Sequence, residues 1–173
     1  MSKTRLVHAA LSMALAVVLC GCHPRTPPIE TGPGSTNSAR AFLFGRWSLM
    51  SFEVFPPDQP PINVKGSAGT LTYDEYGNLA VEIRVDEATA EAFRTVGIPT
   101  DKGTISTTGR TVVNMQAHTL TYMLKGQPAF GTPSGPLALN RPRYWQVDGA
   151  MLTLTTKSDS GQPLSVGTWQ KIQ

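Results

Sequence analysis

The sequence predicts a mainly β domain in which about seven or eight short antiparallel strands and one short helix form a sandwich or a barrel. The first observation is that large apolar residues alternate with smaller or charged ones over Leu79–Val85, which is typical of a half-buried strand. The second is the Asp148-Gly149 pair, which favours a tight turn between two such segments. The third is the spacing of similar segments, which glycine, proline and polar residues separate.

The strands can be placed in order from these patterns. Residues 69–85 are predicted to form a hairpin, because Asp74–Asn78 separates two apolar segments with turn-forming residues. Residues 118–125 place Leu120, Tyr122 and Leu124 on one face. The other strands are expected at Gly45–Val54, Arg143–Val147, Met151–Lys157 and Val166–Ile172.

One segment departs from the β pattern. Residues 86–96 are rich in alanine, begin with Asp86-Glu87 and stop before Gly97, which predicts a short helix. Its inward face is expected to carry Ala92, Phe93 and Val96. Residues 126–142 contain four prolines and three glycines and are predicted to form a long loop.

Several short motifs resemble those of bacterial lipocalin-like domains. Gly45-Arg46-Trp47 is similar to the Gly-x-Trp opening of lipocalin and calycin barrels, and the pattern Gly66-x-x-Gly69-x-Leu71-x-Tyr73 resembles the front half of the bacterial domains. The resemblance covers nearly all of residues 42–173 and implies an antiparallel up-and-down barrel, often with an apolar cavity. The back half is matched by Gly109-Arg110, Arg143-Tyr144, Leu152-Thr153-Leu154 and Gly167-Thr168-Trp169.

The N-terminus has the layout of an export signal. Lys3 and Arg5 precede an apolar stretch that is shorter than the roughly 20 residues of a membrane-spanning helix. It ends in Leu19-Cys20-Gly21-Cys22, which resembles the lipobox of bacterial lipoproteins. The resemblance implies a signal peptide over residues 1–21, cleavage after Gly21, diacylglycerol on the Cys22 thiol and a fatty-acyl chain such as palmitate on the new N-terminus. His23, where an inner-membrane protein usually has aspartate, favours the outer membrane, facing the periplasm.

Residues 22–41 are predicted to form the lipidated cysteine and a disordered tether. The segment contains four prolines and is rich in glycine, serine and threonine, so it buries too little apolar surface to fold. As a flexible coil it spans about 20–25 Å, and about 55 Å when fully extended. Residues 42–173 then form one domain.

Signal cleavage changes the charge. The chain has 15 basic and 12 acidic residues, and the signal removes Lys3 and Arg5, which leaves a net charge near +1. The balance, together with the lack of a basic run, predicts no nucleic-acid partner. Cys20 leaves with the signal and Cys22 carries lipid, so neither a disulfide nor a cysteine metal site is expected.

The chemistry of the domain predicts no enzyme, no cofactor and no metal site. His118 is its only histidine, so neither a histidine metal site nor a Ser-His-Asp triad has its residues. The carboxylates are spread over turns and strand faces. Gly66 and Gly69 lack the Lys-Ser/Thr of a phosphate-binding loop, so we expect a bulge or a close turn there.

Four aromatic residues are expected on inward faces, namely Trp47, Tyr73, Tyr122 and Trp145. They are either ordinary core residues or the lining of a cavity for a small apolar ligand. The leading hypothesis is therefore a lipid-anchored binding protein of the bacterial envelope that holds or passes on such a ligand. The alternative is an accessory envelope lipoprotein without a cavity, whose barrel surface or loop 126–142 docks another protein.

Overall fold

The computed structural model describes residues 29–31, 42–65, 68–123, 135–139 and 141–172. The predicted signal peptide, Cys22, most of the tether, Gly66 and much of the loop 126–142 lie outside these ranges. The helix is α1 (Glu87–Thr95). The strands are β1 (Ile29–Thr31), β2 (Gly45–Val54), β3 (Ile62–Lys65), β4 (Gly69–Tyr73), β5 (Asn78–Arg84), β6 (Thr104–Asn114), β7 (Thr119–Met123), β8 (Arg143–Asp148), β9 (Met151–Lys157) and β10 (Pro163–Lys171).

Eight strands close into an antiparallel barrel in the order β2, β4, β5, β6, β7, β8, β9 and β10. The sheet closes because β10 pairs with β9 along one edge and with β2 along the other, where Lys171 lies opposite Trp47. β3 pairs only with the second half of β2, beyond the residues that β4 covers. The predicted mainly β fold is thus confirmed as a barrel, and the sandwich alternative is wrong.

The two ends of the barrel differ. We call one the aromatic end, where Phe42, Trp47, His118 and Trp145 lie near the start of β2 and the β6–β7 turn. We call the other the helix end, which carries α1, the β2–β3 connection and the β9–β10 turn. Among the described residues no helix is long and apolar enough to cross a membrane.

The inward faces follow the predicted alternation. Trp47 and Leu49 on β2 are fully buried, and Leu71 on β4 is 1% exposed. Leu120, Leu152 and Leu154 on the far wall are buried too. These side chains point into one barrel interior because successive residues of a strand face opposite sides of the sheet. They form the core of the domain.

Helix α1 is capped by Asp86, whose Oδ1 accepts from the Thr89 amide over 2.7 Å. This hydrogen bond lowers the pKa of the Asp86 carboxyl. The buried face consists of Ala90 and Phe93, and Phe93 packs edge-on against Phe52 at 6.3 Å between ring centroids. The expected inward face is confirmed at Phe93 and at Val96, which packs against the core, whereas Ala90 and not Ala92 is the fully buried alanine. Ala92 lies on the flank of the helix and is half-buried, and Val96 is the half-buried C-cap residue.

Part of the predicted tether is ordered against the barrel. β1 pairs in parallel with the end of β6, so that Ile29 lies opposite Val112 and Thr31 opposite Asn114. This corrects the expectation of a structureless segment at these three residues. The pairing of β6 with β5 ends at Arg110. Beyond that residue the same edge of β6 has free backbone groups, and β1 pairs with them.

The predicted turn at Asp148-Gly149 is shifted by one residue. Asp148 is the last residue of β8 and lies opposite Met151, so the two-residue loop consists of Gly149 and Ala150. Gly149 has φ = 55°, a backbone conformation that glycine adopts without steric cost. The two adjoining strands keep the predicted register of inward Trp145 and Leu152.

Gly69 is where β4 approaches β5 most closely. A Cβ added there would lie 2.7 Å from the Glu82 carbonyl oxygen and 3.2 Å from Leu49 Cδ2. Gly69 thus lies in a regular strand pair, opposite Ile83, and the bulge or close turn expected there is wrong for this residue. We therefore expect Gly69→Ala to lower the free energy of unfolding by about 1–3 kcal/mol, because backbone atoms must shift.

Urea unfolding followed by circular dichroism measures this effect. The matched control is Thr70→Ala, at the neighbouring exposed position of the same strand, which we expect to cost less than about 1 kcal/mol. Equal losses for the two variants would show that β5 yields to the extra methyl group.

Candidate functional site

The barrel interior contains a cavity in the half nearer the helix end. Its volume is about 50 Å³, enough for a few water molecules and well below the roughly 300 Å³ of a typical ligand pocket. Apolar side chains from most of the strands form the larger part of its wall. The lining residues are Phe52, Leu71, Val81, Ile83, Ile105, Tyr122, Leu137, Arg143, Leu154, Thr156, Ser165, Gly167 and Trp169.

The unusual member of this lining is Arg143, which is only 5% exposed. Its Nη1 donates to the carbonyl oxygens of Ala138 at 2.9 Å and Leu139 at 3.2 Å, and also to that of Arg141 at 2.6 Å. Its Nη2 donates to the Leu137 carbonyl oxygen at 3.1 Å. The guanidinium therefore holds the backbone of residues 137–139 and of Arg141 beside the cavity.

No carboxylate in the described ranges forms an ion pair with Arg143. Its cation lies instead over the Tyr122 ring, with Cζ 4.6 Å from the ring centroid. Burial lowers the pKa of Arg143, and the neighbouring Tyr122 opposes that change. Burial raises the pKa of Tyr122, and the charge of Arg143 opposes it. Because arginine keeps its proton in proteins, the pair consists of a guanidinium cation and a phenol whose loss of a proton burial opposes.

Two polar groups of the interior, the Arg143 guanidinium and the Trp169 indole N–H, can only donate hydrogen bonds, whereas the hydroxyl groups can donate or accept them. The buried polar and charged residues in the described part of the chain are Arg143 and four hydroxyl residues, with no acid among them. Trp169 Nε1, on the cavity wall, is buried and has no hydrogen-bond partner among the described residues. The hydroxyl residues are Thr107, Thr111, Thr156 and Ser165. Such a set favours a bound group that is rich in acceptors or negatively charged.

The four aromatic residues singled out in the sequence are all buried, but they do not lie together. Only Tyr122 lines the cavity. Trp47, Tyr73 and Trp145 lie toward the aromatic end, where the interior is filled by side chains. The cavity is thus built mainly from residues that the sequence did not single out.

The aromatic end is closed by ring packing. Trp47 Nε1 donates to the Leu43 carbonyl oxygen at 3.0 Å, and Lys171 Nζ lies 5.2 Å from the centre of the Trp47 ring. The His118 ring stacks on Trp145 at 4.6 Å between centroids, and Phe42 stacks on the same ring at 6.0 Å. These contacts fill the aromatic end, so the cavity lies on the helix-end side of them.

Arg143 is the functional candidate that sequence reasoning missed. A charged residue at the start of a strand is usually solvated, so it was not considered for the interior. The alternation of residues along β8 nevertheless indicates its direction. Arg143 has the same parity as Trp145 on β8, and Trp145 was expected to face inward.

The groove beside α1 and the acidic and histidine residues of the described ranges are weaker candidates for a functional site. A wide groove of about 420 Å³ runs between α1 and the start of β3, and its lining residues, among them Pro60, Pro61 and Ala92, carry no charge. Among the described residues, no group of three or more histidines, cysteines or acids is placed to hold a metal ion. His118 is exposed on the β6–β7 turn and contacts Trp145 through its ring.

The raised pKa of Tyr122 predicts a loss of stability in alkali. The folded chain holds this proton more tightly than the unfolded chain, so the contribution is complete below pH 10.0 and is lost as the pH rises through the folded pKa. We expect the free energy of unfolding to fall less steeply above about pH 10 in Tyr122→Phe than in the parent chain.

Urea titrations at several pH values between about 8 and 11 test this difference, because that interval spans the ordinary tyrosine pKa of about 10. Tyr144→Phe is the matched control, because it removes the hydroxyl of an exposed tyrosine on the outer wall. The same slope in Tyr122→Phe as in the parent chain would contradict the prediction.

Comparison with solved structures finds several similar chains. No protein-family model matches the chain, and no curated protein matches it either. The crystal structure of a DUF4847 family protein from Bacteroides vulgatus is similar, with 13% sequence identity and a TM-score of 0.40, over 79% of this chain and 99% of that one. The barrel assignment itself follows from the strand pairing of this chain.

Proposed function

We propose that the chain is a lipid-anchored, lipocalin-like binding protein of the bacterial envelope whose barrel holds a small ligand. The ligand has a small apolar body and an acidic or acceptor-rich group that faces Arg143. The observation that carries the proposal is a buried guanidinium beside a cavity, with no carboxylate paired to it among the described residues. No enzymatic activity and no resident cofactor belong to this proposal.

The chemistry of the interior supports an acidic ligand. A buried cation is costly unless it is paired, and neutral carbonyl oxygens compensate its charge less than a carboxylate does. The Trp169 Nε1–H group and the Tyr122 ring lie in the same lining and add a donor and an aromatic wall. A carboxylate that entered the cavity would meet a charge of opposite sign there.

The size of the cavity sets how such a ligand enters. At about 50 Å³ it accommodates only a very small molecule as it stands. Leu137 lines the cavity, and Arg143 holds the segment 137–139 through its carbonyl oxygens. In our proposal the acidic group of the ligand replaces some of these carbonyls, and the segment moves outward to make room for the apolar body.

The anchor is the second part of the proposal. The Leu19–Cys22 motif supports lipidation at Cys22, and His23 supports retention at the outer membrane, facing the periplasm. In that setting the barrel would hold or pass on a molecule beside the bilayer. The membrane is then a partner through the lipid, and nucleic acid is not.

A ligand titration tests the binding proposal. The mature chain carrying Cys22→Ser is titrated with straight-chain carboxylic acids of increasing length and with the alcohols of the same length, while tryptophan fluorescence is followed. We expect saturable binding of the acids at least about tenfold tighter than that of the alcohols, equivalent to about 1.4 kcal/mol. Trp169→Phe is the control, and it should remove most of the signal while calorimetry still detects binding. The absence of saturable binding for every acid and alcohol would contradict the proposal.

The small cavity also favours a second candidate function. An accessory lipoprotein that docks another envelope protein needs no internal space, and the filled aromatic end fits that description. Pull-down from detergent-solubilised membranes, with and without residues 126–134, tests it. A partner that is lost on deletion, together with no ligand binding in the titration, would favour this second function.

A further inference from the structure

Exposed apolar side chains gather at the aromatic end of the barrel. Phe42, Phe44 and Ile172 are 46%, 49% and 51% exposed. Phe44 directly precedes β2, and the Ile172 amide donates to the Arg46 carbonyl oxygen at 2.9 Å, which places these residues on neighbouring chain segments. Three large apolar groups at one end of a barrel form a surface that water solvates poorly.

The helix end has the opposite character. On α1, Arg94 forms exposed ion pairs with Glu87 at 2.6 Å and Glu91 at 2.7 Å. Asp159 lies in the β9–β10 turn, with 96% of its side chain exposed. The other large apolar residues exposed in the described ranges are Met50 and Tyr144, which lie on the outer wall. The two ends therefore differ in polarity, as those of a molecule resting on an interface do.

The chain also enters near the aromatic end. β1 lies against the last residues of β6, directly before the turn whose His118 stacks on Trp145. Six residues of sequence separate Cys22 from Ile29, so the distance between them is at most about 25 Å. The start of β6, at the helix end, lies eight residues from Val112, about 26 Å farther along the strand.

We propose that the aromatic end rests on the bilayer surface, with Phe42, Phe44 and Ile172 in the interfacial region and the helix end directed away from it. The inference rests on the proposed lipid anchor at Cys22, and it goes beyond the ligand-binding proposal. Arg46 lies at the same end, but so do the exposed Glu75 and Asp148, so the contact is mainly apolar. The half of the barrel that contains the cavity is then directed away from the membrane, toward the aqueous compartment.

Site-specific labelling of the full lipoprotein tests the orientation. Cys20 leaves with the signal and the Cys22 thiol carries lipid, so an introduced cysteine is the only free thiol. A fluorescent label is attached in Phe44→Cys, Ile172→Cys and, as the matched control on α1, Ala88→Cys. The lipidated chain is reconstituted in phosphatidylcholine vesicles with ordinary or brominated acyl chains. We expect brominated lipid to lower the fluorescence at positions 44 and 172 by about twofold or more and to leave position 88 almost unchanged.

A second measurement isolates the apolar contact. In the unlipidated Cys22→Ser chain, the combined variant Phe44→Ser and Ile172→Ser should lower the fraction that sediments with the same vesicles by about threefold or more. Met50→Ser, an exposed apolar residue on the outer wall, should leave that fraction unchanged. Circular dichroism melts confirm that each variant is folded.

Each outcome separates the proposals. Quenching at 44 and 172 but not at 88 supports the orientation. Equal quenching at all three positions, or none in a chain that floats with the vesicles, overturns it and leaves the anchor intact. If the chain is processed with its signal and still does not float with vesicles, both the anchor and this inference are wrong. The ligand titration is unaffected by that outcome.

Discussion

Arg143→Ala is expected to lower the free energy of unfolding by about 3–5 kcal/mol, because it removes a buried donor group on which four carbonyl oxygens depend. Leu137 and Ala138 are 4% and 1% exposed, so their carbonyls lie in buried segments and cannot all turn to water. The substitution also leaves space next to a cavity that already exists. Both effects act at the same place.

Urea unfolding at pH 7 gives the size of this loss. Arg143→Lys keeps the charge but presents a compact ammonium group, which cannot reach all the carbonyls at once, so we expect an intermediate loss of about 1–3 kcal/mol. Arg141→Ala is the neighbouring control. Arg141 pairs with the exposed Asp159, and its loss should cost less than about 1 kcal/mol. An Arg143→Ala variant as stable as Arg141→Ala would mean that segment 137–141 is held by other contacts.

Trp47→Ala is expected to cost about 3–5 kcal/mol as well, for a different reason. Trp47 is fully buried where the first barrel strand meets the last, and its indole carries a hydrogen bond to Leu43 and a contact with Lys171. Removing the ring empties the largest fully buried position at the aromatic end and leaves the Leu43 carbonyl without its donor.

The same unfolding measurement tests Trp47. Trp47→Phe keeps most of the apolar volume and loses the hydrogen bond, so we expect about 1–2 kcal/mol. Tyr144→Ala removes an exposed aromatic ring that contacts Lys157, and it should cost less than about 1 kcal/mol. If Trp47→Ala lowered the free energy of unfolding no more than Tyr144→Ala, the Trp47 ring would not be needed for the stability of the aromatic end.

The strands were predictable because their signals are local. The alternation at Leu152 and Leu154 and the turn residue Gly149 each act within a few neighbouring residues, and the structure keeps them almost unchanged. The inward direction of Trp47 and Trp145 follows from the same alternation. What the pattern specifies is which face of a strand is buried.

The features that the sequence does not predict depend on how strands that are distant in sequence pair and pack. β3 is four residues long, follows Pro60-Pro61 and covers only the part of β2 that β4 leaves unpaired, so nothing within its own sequence indicates it. The cavity was not predictable either. Its wall combines residues from most of the barrel strands with Leu137 from a loop, and its one charge belongs to a residue type that normally faces water.

The pairing of β2 with β10 has a consequence for how the domain forms. The partners in this seam are roughly 110 to 125 residues apart in sequence, so the cylinder cannot be completed before β10 has been made. Until β10 has been made, both margins of the sheet present unpaired amides and carbonyls, which invite association with other chains. The domain therefore acquires its closed form only once β10 has joined β9 to β2. A chain cut short within β10 would stay open and be exposed to proteases.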